Sequence, residues 1–544
     1  MTLKPPFPHM GRNRDKAAEA GLGGRLNRRS VLQGSAALAA TLAASGAMAQ
    51  EARMGPAEAM RFEDVIAKAR YMSQNAFVPP ANPAPELIEK VDYSAHWKIR
   101  FRNEESLYPG AADSAVQLFH PGRYFPEPVS IYVRGADGTA REVLFNEDIF
   151  SMPADSPAHD LPDGYGFAGF RVMRPDMKPD WVSFLGASYF RTDGPEHQYG
   201  LSARGIAVDT GLDRPEEFPR FTAFWLGPSE SDVEDISVWA LLDGPSITGA
   251  YRFGLKRDLT GEAGHVTRIS AHLFARKDIE RLGVAPLTSM YWYSERDRTI
   301  GKDWRPEIHD SDGLAMRTGS GEHIWRPLNN PAGVSTASFM DENPKGFGLI
   351  QRDRDFGHYQ DDGVFYNRRP SAWIKPMGDW GRGVVQLVEI PTEDETFDNI
   401  VAYWVPEKPV KRGDSLTFDY DIEWRARDPE TLAVASVVAT RQGQGGIPGN
   451  PIPQGVGKMV IDFEGPALND LDNESGVVPM VEATNGKVVE PVGAYKIVGT
   501  NRWRLAFDFE QQGNGPVSLR AFLRQGDKAL TETWLADAWV GVRG

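Results

Sequence analysis

The chain has 544 residues, 41% hydrophobic and 25% charged, and its 60 basic and 75 acidic side chains give a formal net charge of −15. That mixture can bury a core large enough for two domains, and its acidic excess argues against nucleic acid and anionic membrane surfaces as ligands. With no cysteine in the chain, disulfides, thiolate chemistry and cysteine metal sites are excluded.

Residues 1–49 read as an export leader and not as part of the fold. Arg28 and Arg29 form an adjacent pair before an Ala-rich run, and Ala47-Met48-Ala49 offers the small residues of a cleavage site. Gly34, Ser35, Thr41 and Ser45 interrupt the run, whereas an anchor needs about 20 strongly apolar residues. The pattern predicts twin-arginine export to a bacterial periplasm, against the alternative of an uncleaved anchor or a basic tail. The leader carries seven basic and two acidic side chains, a charge of +5, so the remainder carries −20.

A short amphipathic helix is predicted over 62–72, FEDVIAKARYM, then a Pro-rich hinge, then a second short helix around Glu86–Val91. From about Trp97 onward alternating β-branched and aromatic residues signal strands: VQLFHPGRYF, VSIYVRG, REVLFNEDIF, then ISVWALLD and SITGAYRFGLK around a turn at Asp243-Gly244-Pro245. HVTRISAHLFAR, GVVQLVEIP and NIVAYWVP continue the pattern to Pro406. No βα repeat occurs, so the prediction for 55–406 is a large antiparallel β-sandwich, with 407–413, EKPVKRG, as a linker. Residues 414–541 carry about seven short strands separated by turns, the count of an immunoglobulin-like sandwich, without its Cys–Trp–Cys signature. The segment 441–455, RQGQGGIPGNPIPQG, reads as a long loop.

Acids, arginines and aromatics crowd between Asp297 and Trp404, as expected of a wet groove for a neutral, hydroxyl-rich ligand. EIHDSDG (307–313) belongs in a loop. It lacks the spacing of a calcium hand, and no HExxH zinc motif occurs, so a catalytic loop or a solvated acidic turn is favoured over a metal site. In 353–373, Asp353, Asp355, His358, Tyr359, Asp361 and Asp362 precede Tyr366, Arg368, Arg369 and Trp373. An arginine there can hold a carboxylate ionised, and a Tyr hydroxyl can position a proton; an ion-pair network stabilising a long loop is the alternative. In EDETFDN, Asp398 lies between Phe397 and an apolar strand, a position suited to a desolvated, protonated acid. Glu389, Glu393 and Glu395 are competitors that pattern alone does not eliminate. Glycoside hydrolysis needs two such acids. GLSARG (200–205) does not make the GxSxG of a serine hydrolase, and neither a dinucleotide nor a P-loop pattern occurs.

DWRPEIHDSDGLAM (303–316), GEHIWRPLNNP (321–331), NPKGFGLIQRDRDFGHYQDDGVFYNRRPSAWIKP (343–376), GDWGRG (378–383) and QLVEIPTEDETFDNIVAYW (386–404) resemble the signature blocks of the bacterial periplasmic glucan biosynthesis proteins, which process osmoregulated periplasmic glucans. The leader favours a D-type member over the G-type. The resemblance implies a mainly β fold, with a large N-terminal galactose-mutarotase-like sandwich and a small immunoglobulin-like C-terminal one. It also implies an endo-acting, inverting β-1,2-glucanase. In that reading Asp398 is the general acid. Asp310 is the general base, acting through a relay of waters and a substrate hydroxyl to which Tyr366 contributes. Trp304, Arg305, His309, Asp312, Arg369 and Trp373 are the groove candidates. No cofactor and no metal is expected. The expected partners are a β-1,2-linked glucan, a membrane glucan synthase and a second copy of the chain. The competing function is a non-catalytic glucan-binding or scaffolding protein that assists a membrane glucosyltransferase.

Overall fold

A computed structural model describes residues 53–108, 114–258, 264–428 and 433–540. The leader expected over 1–49 lies outside them. The predicted first helix forms over Phe62–Ser73, where the Asp64 carboxylate accepts the Arg61 backbone N–H at 2.9 Å and closes the first turn. Its buried stripe, Val65 and Ala69, packs on Trp225, Trp239, Leu241 and Phe274, covering the outer face of a sheet. A second short helix, Pro85–Lys90, starts with proline at a position where its missing N–H costs nothing.

Two large sheets, mostly antiparallel, dominate the fold. The middle of the first runs Arg220–Pro228, Ile236–Asp243, Ile247–Lys256, His265–Ala275, Ser415–Arg425, Ser371–Met377, Gly346–Ile350, Gly313–Arg317 and His323–Pro327. The second includes Ser335–Glu342, Arg382–Glu389, Ile400–Pro406, Leu282–Ser289, Ser202–Arg204, Tyr189–Thr192, Asp180–Leu185 and Gly169–Met173, in that spatial order. Their inner faces meet through rings. Phe184 and Phe190 lie 5.2 and 5.3 Å from Phe253, and Phe170 lies 5.1 Å from Phe224, edge to face. Such contacts add about 0.5–1.5 kcal/mol each beyond area burial. One expected strand is shorter than its sequence pattern: VQLFHPGRYF joins a sheet only over Val116–Phe119, because Pro121 has no N–H to offer a ladder.

The domain boundary expected at 407–413 moves. Ser415–Arg425, expected to open the small domain, sits inside the large sheet. It pairs with one neighbour from His265↔Trp424 to Phe274↔Ser415 and with the other from Ser371↔Arg425 to Met377↔Asp419. Its alternate residues Phe418, Tyr420, Ile422 and Trp424 enter the large core. Period-two alternation fixes which face is buried but not which core receives it.

The C-terminal unit follows that strand. Ser436–Gln444, Val456–Glu464, Trp503–Gln511 and Gly486–Lys496 form one sheet. Val478–Thr484, Val517–Gln525 and Thr533–Ala538 form the facing layer, which joins the large sheet by parallel pairing of Thr533–Ala538 with His323–Pro327. Both layers share one core, with Ile461, Phe463, Leu505 and Phe507 facing Leu519, Leu523, Trp534 and Ala536. The loop expected over 441–455 begins later than its composition suggests: 441–444 still pair within Ser436–Gln444, and only 445–455 connect that strand to its partner at Val456.

Candidate functional site

Two loops carrying Asp310 and Asp398 are tied to the same pair of backbone residues. A short ribbon pairs Tyr291–Tyr293 with Ile308–His309, and the chain then turns so that the Asp310 N–H donates to Met290 O at 2.8 Å. Ser311 secures the same turn, its hydroxyl 2.9 Å from that of Ser289. Next to Asp398, the fully buried amide of Asn399 accepts the Tyr291 N–H at 2.8 Å. Its NH2 donates to the Tyr291 and Ile390 carbonyls, each at 2.9 Å. Adjacent residues, Met290 and Tyr291, therefore hold both acid-bearing loops.

The electrostatics of the two carboxyls differ. Asp398 is half-buried, and burial first, then the Asp310 charge, pushes it up to about 6; Arg191, Arg204 and Arg369 pull the other way. Asp310 is buried and also raised by desolvation, but it is opposed by Arg369, whose guanidinium contacts its Oδ1 directly. Asp398 is thus biased toward its protonated form, while Asp310 has a charged partner that favours its ionised form.

Around them lies a connected polar network. The Arg369 guanidinium sits 4.0 Å from the Tyr366 ring centroid. The Tyr366 hydroxyl donates to Glu395, whose two oxygens also accept from Arg305 at 2.9 and 3.1 Å. Arg305 further binds Asp361 at 2.6 Å and Asp303 at 2.9 Å. On the Asp398 side, Arg204 donates to Thr288 at 2.8 Å and Glu216 at 2.6 Å, and Arg191 stacks 4.5 Å from Tyr199. Beside this cluster Trp304 is 69% exposed, free to stack on a ligand.

The structure brings together Asp310, Asp398, Tyr366, Arg369 and, through Glu395, Arg305. It sets three other groove candidates apart. His309 is fully buried, with Nε2 3.1 Å from Glu307 and Nδ1 3.0 Å from Gln351 and 3.3 Å from Asp312. Burial pulls its pKa down, but the Glu307 hydrogen bond and the charges of Asp312 and Glu307 outweigh that and raise it to about 9. Asp312 uses one oxygen on His309 and the other on the backbone N–H groups of Arg352 and Asp353, the latter at 2.7 Å. Both residues stand behind the acid loop as its support. Trp373 points away, into the apolar cluster shared with the C-terminal unit, in a cross-strand row with Gly348, Ala315, Trp325 and Trp534.

For a cation, Glu307, Asp353 and His358 bring candidate ligand atoms within 4.8 Å of one another. Hydrogen bonds already engage all three: His358 lies 2.5 Å from Asp353 within the group, and Glu307 lies 3.1 Å from His309 outside it. Sequence reasoning missed Asn399, Arg191 and Arg204. Arg204 lies within GLSARG, which reads as negative evidence when searched only for a serine nucleophile. Asn399 had a weak signal, an amide directly after the acid at the start of a buried strand.

Fold and site together define a mainly β protein of large antiparallel sheets whose acid pair, Asp310 buried and Asp398 half-buried, sits among arginines and aromatic side chains. Residues 60–538 match the family model described as periplasmic glucan biosynthesis protein, MdoG, and the chain belongs to that family. It is 47% identical to glucans biosynthesis protein D 2 of Ralstonia nicotianae, over 93% of this chain and 96% of that one. It is 45% identical to a probable glucans biosynthesis protein D of Shewanella oneidensis (86% of each chain) and 44% identical to glucans biosynthesis protein D of Stenotrophomonas maltophilia (89% and 90%).

Proposed function

We propose that this periplasmic glucan biosynthesis protein cuts the β-1,2-linked backbone of its glucan internally, with inversion at the anomeric carbon, after twin-arginine export. The observation that carries this reading is the inequality of the two acids: Asp398 is raised to about 6 beside an Asp310 that contacts Arg369. Asp398 then gives its proton to the glycosidic oxygen as the bond to C1 breaks. A water attacks C1 from the opposite face, and its proton passes through a substrate hydroxyl, ordered water and the Tyr366 hydroxyl to Asp310. The products are a hemiacetal of inverted configuration and a free hydroxyl. Asp398 is left ionised and Asp310 protonated, and solvent resets both. For Tyr366 to serve, its hydroxyl must exchange its bond to Glu395 for one to the relay, while Arg305 keeps Glu395 paired. Trp304 and Arg305 are proposed as ligand contacts.

The test is product analysis on defined linear β-1,2-glucan with anomer detection by NMR. Short oligosaccharides of inverted configuration are expected from the wild type and none from Asp398→Asn. Binding without any change in chain length would assign the protein to the scaffolding reading, alongside a membrane glucosyltransferase. Products with an unsaturated end would assign it to a lyase.

A further inference from the structure

The C-terminal unit reaches the acid loop through one buried arginine. Arg352 follows the strand Gly346–Ile350, and its guanidinium leaves the large domain's own side chains to bind the other unit. It donates to Glu532 at 2.6 and 3.2 Å, to Val437 O at 3.1 Å and to Asp428 at 2.9 Å. Its guanidinium carbon lies 3.6 Å from the Trp325 ring centroid. Glu532 is itself only 2% exposed and also accepts the Val437 N–H at 2.6 Å. The backbone N–H of Arg352, with that of Asp353, donates to the Asp312 carboxylate. Asp312 in turn holds His309, and these two residues flank Asp310 on either side. A second strut runs parallel: Glu295, close to the ribbon that carries His309, accepts the Thr440 N–H of the C-terminal unit at 2.9 Å, and the Thr440 hydroxyl accepts from Trp534 at 3.0 Å.

We propose that Arg352 is a positioning residue and that the C-terminal sandwich serves, through Glu532, Arg352 and Asp312, to fix where the Asp310 carboxylate stands. A buried, bidentate guanidinium–carboxylate pair is rigid in distance and angle, and its neighbouring peptide groups are rigid with it. An acid misplaced by about 1 Å can lose about a hundredfold in rate. The role rests on the hydrolytic reading only for its kinetic consequence; the mechanical link stands apart from it.

The experiment compares Glu532→Gln and Arg352→Lys in the full-length chain with the wild type and with Arg504→Gln. Arg504 pairs with Asp462 inside the C-terminal unit, at 2.7 Å, away from the strut. Hydrogen–deuterium exchange of the 307–313 and 351–355 peptides is measured together with kcat and KM on linear β-1,2-glucan. Both strut variants should show exchange at least about tenfold faster in those two peptides and unchanged exchange in 236–256. Their kcat should fall about 10–100-fold with KM within about twofold. Arg504→Gln should match the wild type in all of these. Unchanged exchange in 307–313 in a folded strut variant overturns the proposal, as does a rise in KM with kcat intact. If the wild type does not cut glucan, the proposed function fails and the exchange result alone decides the strut. If Glu532→Gln does not fold, Arg352→Lys, which keeps the charge and loses the fork, supplies the comparison.

Discussion

Replacing Asp398 by Asn should stop hydrolysis and, at neutral pH, make the protein more stable. The carboxyl titrates at about 6 in the folded chain against an ordinary value of 3.8, because burial and Asp310 disfavour its charge more than Arg191, Arg204 and Arg369 favour it. The folded state therefore binds a proton more tightly than the unfolded one. This raised group destabilises the fold increasingly as pH rises from about 4 through 6, and the penalty is complete above that. A shift of this size amounts to about 3 kcal/mol, and the partial exposure of the side chain reduces it to about 2 kcal/mol. The neutral amide of Asn removes the penalty. Urea unfolding at pH 7.5 should show the variant about 2 kcal/mol more stable, and the advantage should shrink to about a third at pH 4.5, where the wild-type carboxyl is protonated. An advantage that does not change with pH would refute the reasoning, as would a loss of stability at pH 7.5. The first would mean that the folded and unfolded carboxyl titrate alike, the second that the three arginines govern the ionised form.

The rate should fall as pH rises through about 6, because the acid role of Asp398 needs its proton; a pH profile of kcat/KM measures that limb. Asp310→Asn removes the charge that helps hold Asp398 up, so the Asp398 carboxyl should titrate below 6 in a carbon-13 NMR titration. Tyr366→Phe should lower kcat about 100-fold or more with a fold close to native, since Glu395 keeps both bonds to Arg305, and steady-state kinetics with circular dichroism test this. Trp304→Ala should raise KM about tenfold and leave kcat and thermal stability near wild type, as expected for an exposed stacking platform.

Much of the fold is legible because strand alternation is a local property. Phe62–Ser73 and the strands from Ile236 to Ala275 form where their residue patterns place them. What alternation does not encode is partnership. Phe418, Tyr420, Ile422 and Trp424 would suit either core, and only long-range register assigns them to the large one. The site divides in the same way. Local pattern does not rank Asp310, Asp398 and Tyr366 above their neighbours, and only the resemblance blocks single them out, whereas His309 and Asp312 look like ligand contacts until their hydrogen bonds show them facing backward. Trp373 lies one residue along a strand from Ala372 and Ile374, which enter the large core, so the pleat alone sends it to the opposite face. Asn399, Arg191 and Arg204 come from separate strands or loops, and no short motif joins residues so far apart in the chain.

The strand Ser415–Arg425 also constrains how such a protein can be taken apart. It lies between His265–Ala275 and Ser371–Met377, so a stop codon after Pro406 would leave two central strands facing each other across an empty lane, with a row of backbone N–H and C=O groups exposed on each. Such a fragment would offer adhesive edges to its neighbours and aggregate. A graft that replaces the C-terminal sandwich must cut downstream of Arg425. Recombination between relatives would meet the same restriction, and exchange of the second unit is viable only when its donor joins the chain beyond this lane.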